Sequence, residues 1–80
     1  MDRFEYQVCQ VQLSRVTFVN GAWAGTVAQT DPDAQKVLDS CPQVWDYLNQ
    51  AGADGWQLVS VTTRVEDEGQ IVDVLYLRRP

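Results

Sequence analysis

Ser14, Ser40 and Ser60 are hydroxyls that could serve as nucleophiles, yet the chain has no histidine to activate them and Lys36 is its only lysine. Nucleophilic catalysis by a serine needs an adjacent base, and only an unusual lysine or carboxylate could fill that role here. The lack of imidazole also removes the commonest general base and the commonest neutral metal ligand. The expectation is therefore that this chain is not an enzyme and carries no cofactor. Cys9 and Cys41 permit one intramolecular disulfide, but their spacing matches neither a metal knuckle nor a redox Cys-x-x-Cys pair. Buried free thiols are expected, since free cysteine behaves as a small hydrophobe. Glu66-Asp67-Glu68 has oxygen ligands suited to calcium but lacks the alternating spacing and distal glutamate of a binding loop. It reads as a solvated turn, and no metal is expected.

Arginines and aromatics offer binding rather than reaction chemistry. Arg78 and Arg79, joined by Arg64 if its strand is the neighbour, could form a small basic pocket for an anion. Pairing with Asp73 or Glu5 is the plainer reading and the favoured one. Trp56, directly after Gly55, is expected to pack over a helix end and lock the turn. Trp45 lies about 100° round a helix from Val44, where it either closes the core rim or reaches a neighbouring subunit. Phe18, Val19 and Trp23 fall on a hairpin that a small core cannot fully cover, and an exposed aromatic patch there reads as a protein contact.

The elements that must hold these side chains follow from patterning. Phe4, Tyr6 and Val8 alternate with polar residues, then Cys9, Val11 and Leu13 take the apolar positions. The phase thus flips between Val8 and Cys9, as a bulge or a change of packing partner would require, and a bent long strand is expected. Asn20-Gly21 tolerates the positive φ values of a tight turn and sits between two β-rich arms, a hairpin within residues 12–29. Asp31-Pro32-Asp33 suits the start of a short helix continuing from Ala34 to Leu38. Ser40-Cys41-Pro42-Gln43 has capping-box spacing. Val44, Tyr47, Leu48 and Ala51 then form one apolar stripe of a second helix, which Gly52 or Gly55 can end in the left-handed conformation.

Trp56 to Val65 suits a strand, with Trp56 and Leu58 on one side and Val59, Val61 and Val65 on the other. After the charged turn, Ile71-Val-Asp-Val-Leu-Tyr-Leu is a nearly continuous apolar run, the composition of a strand covered on both faces. This last strand is expected between the first and the penultimate, antiparallel to both, with the helix reached by a right-handed crossover. The fold class is α+β: a small antiparallel or mixed sheet, β-hairpin-α-β-β in order, with one main helix packed on one face. Residues 1–80 form a single domain.

Three segments also resemble a known family. Phe4-Glu-Tyr-Gln-Val, Tyr47-Leu-Asn-Gln-Ala-Gly-Ala-Asp-Gly-Trp-Gln-Leu-Val-Ser-Val and Tyr76-Leu-Arg-Arg-Pro are similar to the small bacterial family known as domain of unknown function 4177. The middle motif, of Gly-x-x-Gly-Trp-x-Leu-Val type, is the specific one. Gln7 and Gln57 depart from the family's usual lysine and glutamate, and the hairpin and residues 31–40 are longer than in its simplest members. The resemblance implies a compact β-α-β-β fold and carries no agreed activity.

Composition bounds the partners. Six basic and eleven acidic residues give a net charge of -5, which opposes the counterion release that drives most nucleic-acid binding. No apolar run has the length of a membrane span or signal peptide, so a soluble cytoplasmic protein is expected. Eighty residues lie near the lower limit for a self-sufficient core, for which homo-oligomerisation, as a dimer or higher, is one remedy. The sequence thus favours a non-catalytic interaction or self-assembly module with Phe18, Val19, Trp23 and Trp45 at its interface. The alternative is binding or sequestration of a small anionic or aromatic ligand at a subunit interface, through Arg64 and Arg78.

Overall fold

The computed structural model describes residues 3–80 as an antiparallel five-stranded sheet with two helices. The elements run β1 (Glu5–Gln12), β2 (Arg15–Val19), β3 (Ala22–Trp23), α1 (Ala34–Asp39), α2 (Val44–Ala53), β4 (Gln57–Val65) and β5 (Ile71–Arg79). Spatial order is β3-β2-β1-β5-β4. The apolar run from Ile71 to Leu77 lies between β1 and β4, antiparallel to both, as its composition requires.

β1 pairs with β5 in unbroken register from Glu5↔Arg79 to Val11↔Asp73. The bulge expected between Val8 and Cys9 is therefore absent from this ladder. Its apolar residues do change face: Tyr6 and Val8 point away from α2, whereas Cys9 and Val11 join the core beneath it. The irregularity lies instead in the β1–β2 ladder between Gln10 and Val11. There the Thr17 hydroxyl donates to the Gln10 carbonyl at 3.3 Å and to Gln12 Oε1 at 3.0 Å.

Two tight turns set the left half of the sheet. Asn20 and Gly21 have φ of 50° and 82° and join β2 to β3. The hairpin is part of the main sheet, because Asn20 also exchanges two hydrogen bonds with Val8 of β1. Its second strand lasts only two residues. The other turn is Leu13-Ser14, with φ of 51° and 63°, a two-residue connection without the glycine, asparagine or aspartate that takes positive φ most readily.

Both helix starts differ from the capping pattern. Asp33 caps α1 by accepting from Lys36 N at 3.2 Å, while Asp31 accepts from Asp33 N. The Ser40 capping box does not form: Ser40 Oγ donates to the Val37 carbonyl, and Gln43 precedes α2 without a side-chain cap bond. The chain is held there by β2. Val16 N donates to the Pro42 carbonyl and Val44 N to the Ser14 carbonyl, both at 2.9 Å. Arg15 Nη1 adds bonds to the carbonyls of Asp39 and Cys41.

At the far end of α2, Gly55 takes φ of 88° and Trp56 N donates back to the Ala51 carbonyl at 2.9 Å. Trp56 packs against the core, and the Arg79 guanidinium lies 4.4 Å from its ring centre. Tryptophan thus closes the helix end as its position implies. Gly55→Ala would force a β-carbon into the left-handed region and should cost about 1–2 kcal/mol. Gly52→Ala, where an added carbon meets nothing within 4 Å, should instead gain about 1 kcal/mol from helix propensity. Urea midpoints moving in opposite directions check this pair; midpoints falling together would contradict it.

Candidate functional site

Register assigns each side chain to a face. Cys9, Val11, Val16, Leu75 and Leu77 lie under Ala51, with Val44, Tyr47 and Leu48 of α2 packed on them. In the β4–β5 ladder Leu58 pairs with Leu77, Val61 with Leu75, Thr63 with Asp73 and Val65 with Ile71, which puts these residues on the helix side too. They extend that face past the helix. Yet every residue of β4 is exposed, and Leu58, Val61, Ile71 and Val65 range from 44 to 71 % exposed.

The sequence pattern placed Leu58 opposite Val61 and Val65; a register shift between Leu58 and Ser60 reverses this. Val59 is the extra residue, so Leu58, Val61 and Val65 join one strip. Between the end of β1, the start of β5 and the first turn of α2 is a cleft of about 490 Å³ lined by Val11, Leu13, Val44, Ile71 and Leu75 together with Asp73 and neighbouring polar residues, and by none from β4. The Thr63 hydroxyl donates to Asp73 Oδ1 at 2.7 Å, so the carboxylate has a neutral partner. Leu13, on the cleft wall, is 76 % exposed and held at positive φ. A strained, exposed leucine at a cleft rim is the kind of outlier that marks a binding surface.

The aromatic residues expected at an interface divide. Trp45 is 53 % exposed on the first turn of α2, one residue from Val44 of the cleft. Phe18 and Trp23 are half-buried and meet edge to face, with ring centres 5.5 Å apart. The Trp23 indole N–H donates to the Val27 carbonyl at 2.9 Å, and its ring crosses Gly25 so closely that a β-carbon there would come within 2.8 Å. Val19 is half-buried beside the core. The hairpin aromatics therefore partly cover one another, and on the helix side of the sheet the uncovered apolar surface lies at the other end, on β4 and Ile71.

The arginines do not converge on an anion. Arg64 pairs with Glu66 at 2.8 Å and Arg79 with Glu5 at 3.3 Å, while Arg78 lies 4.9 Å from the centre of the Phe4 ring. Arg64 is opposite Val72 and Arg78 opposite Gln57, which separates them by six residues of strand, roughly 20 Å. Neither lines the cleft, nor does any lysine. Lys36 pairs with Asp31 at 3.9 Å, and Ser40, one turn further along α1, turns its hydroxyl to the Val37 carbonyl at 2.6 Å. Among the described residues no group of three or more His, Cys, Asp or Glu is placed to hold a metal.

Cys9 and Cys41 are free and buried. Burial raises the proton affinity of both thiols above the ordinary value of 9.0, offset in part at Cys9 by a hydrogen bond with Tyr47 and at Cys41 by Arg15. Burial likewise pushes the Tyr47 phenol well above 10.0, reinforced by Cys9. Tyr47 Oη donates to Gln7 Oε1 at 2.7 Å, and Cys9 Sγ lies 3.7 Å from the same oxygen. These groups stay protonated and form a structural cluster.

No helix among the described residues is long and apolar enough to cross a membrane. Comparison with models of protein families, with curated proteins and with solved structures finds no match to this chain.

Two outcomes follow from this geometry. Because the folded state holds protons that the unfolded state releases, stability is full below the ordinary thiol and phenol values and falls as pH rises through about 9 to 10 and beyond. Urea titrations should show that decline, and Tyr47→Phe should lose about 1 kcal/mol near neutrality while flattening the part of the decline above pH 10. An unchanged alkaline slope in that variant would contradict the assignment. Replacing Leu13-Ser14 by Asn-Gly should raise stability by about 1–2 kcal/mol, since two non-glycine residues leave the left-handed region. A lowered urea midpoint would show that the turn carries no strain.

Proposed function

We propose that this chain is a non-catalytic protein-interaction or self-assembly module whose working surface is the helix-side strip of β4 and β5. One observation carries the reading: β4 is nine residues long, exposed throughout, and has no strand paired to its outer edge among the described residues. Edge strands usually carry protection in the form of lysine, proline, brevity or a covering loop. β4 has Arg64 and the bulge at Val59, but Leu58, Val61 and Val65 still face water. The uncovered surface is the size of patch that marks a contact site. Support for a non-catalytic role comes from the missing histidine. The resemblance to domain of unknown function 4177 agrees with such a compact β-α-β-β unit and adds no activity.

The alternative, a small-ligand pocket between subunits using Arg64, Arg78 or the tryptophans, gains no support from a single chain in which the two arginines lie at opposite ends of the β4–β5 ladder. An interaction surface makes a mass test direct. In cell extract and as pure protein at high concentration, the wild-type chain should run above its 9.0 kDa monomer mass in at least one condition. Val61→Lys combined with Val65→Lys, both at exposed positions, should return it to monomer mass with the same circular dichroism and a urea stability within about 0.5 kcal/mol. Monomer mass in both conditions would overturn the proposal.

A further inference from the structure

We infer that the occupant of the strip is a second copy of this chain, whose α2 lies beside the first α2 on the uncovered edge of the sheet; the inference rests on the interaction-module reading above. Five strands span about 19 Å between their outer axes, and a helix with its side chains is about 10 Å across. One helix over β2, β1 and β5 leaves β4 uncovered beside it, a ledge about one strand spacing, roughly 5 Å, wide. A second helix resting on that ledge meets both β4 and the flank of the first α2. Two copies related by a twofold axis can each set α2 onto the other's ledge, giving two sheets with a pair of helices between them.

The flank of α2 supports this packing. Trp45, Asn49 and Gly52 follow at i, i+4 and i+7, a single exposed stripe next to the buried one. A right-handed crossover from β3 through α2 to the parallel strand β4 turns that stripe toward β4. Gly52 allows close approach, since nothing lies within 4 Å of the position a β-carbon would occupy. Trp45 is the anchor, an exposed aromatic next to a cleft of about 490 Å³ that begins at Val44 and ends at Ile71 and Leu75.

Knob and hole lie side by side on one face, the arrangement that closes as a dimer rather than propagating as a fibre. Trp45, Leu13, Leu58, Val61, Val65 and Ile71 together leave on the order of 600 Å² of apolar side chain in water, close to the roughly 800 Å² per partner of a standard interface. The opposite face exposes apolar side chains too: Tyr6, Val8 and Tyr76 lie there with the buried Val72 and Val74, interspersed with Gln10, Ser60, Thr62 and Arg78.

Sedimentation equilibrium of the purified protein from about 5 µM to 1 mM tests this. The expected result is a reversible species of twice the 9.0 kDa chain mass. Association should tighten with added salt, because each copy carries a net charge of -5 and screening weakens their repulsion. Trp45→Ala and Gly52→Arg should each weaken the dimer tenfold or more, with unchanged circular dichroism at dilutions where only monomer is present. Both residues are exposed in the single chain. Monomer at all concentrations, or a dimer indifferent to both substitutions, would overturn the inference. A monomeric pure protein that still joins a larger complex in extract, lost in the Val61→Lys and Val65→Lys variant, would overturn the second copy alone and leave the interaction surface standing.

Discussion

Ten residues of helix over a five-stranded sheet form the constraint on which the rest of this molecule depends. α2 covers β2, β1 and the near part of β5, where Cys9, Val16 and Leu77 are essentially without solvent contact. It does not reach β4. Burial of apolar surface is the main source of stability in so small a chain, and on the helix side of the sheet it is concentrated over β2, β1 and β5. β4 continues that face without cover.

The covered half is held by several independent fastenings. Pro42 and Val44 are bonded to the β1–β2 turn region, Trp56 and Gly55 close the opposite helix end, and Arg79 ties Glu5 of β1 to the Asp54 carbonyl after α2. These fix α2 over β1 and hold its Trp45 flank at the rim of the cleft. Leu13, kept at positive φ in a turn that glycine or asparagine would fill more easily, lines the same cleft. Stability has been given up at that point for an apolar side chain on the surface, a trade common at binding surfaces and rare at idle ones.

Much of the architecture was legible in the residues. The apolar run from Ile71 to Leu77 identified the central strand, Val44, Tyr47, Leu48 and Ala51 identified the helix face, and Asn20-Gly21 identified one hairpin turn. Each is a local pattern with a single structural solution. The site was less legible because it depends on relations between distant segments. Leu13-Ser14 has no glycine, asparagine or aspartate to mark a positive-φ turn, which forms because β1 and β2 pair on either side of it. The bulge at Val59 moves Leu58 onto the face of Val61, a shift that alternation within the strand cannot reveal. The capping box at Ser40 gave way to backbone bonds with β2. Phe18 and Trp23, expected to be exposed, are half-buried, in part because the chain returns to place the Val27 carbonyl on the Trp23 indole, a contact no local pattern announces. Trp45 was recognisable at the edge of the helix stripe, but the uncovered edge of the sheet beside it was not. That follows only from β4 being the last strand.

The most direct measurement is a set of isotope-filtered nuclear Overhauser effects on an equal mixture of labelled and unlabelled chain at high concentration. Cross-chain contacts between the Trp45 indole protons and the methyl groups of Leu58, Val61, Val65 or Ile71 are expected. Contacts across chains confined to Phe18 and Trp23, or none in a sample whose strip residues remain solvent-exposed, would contradict a sheet edge completed by the helix of a second copy.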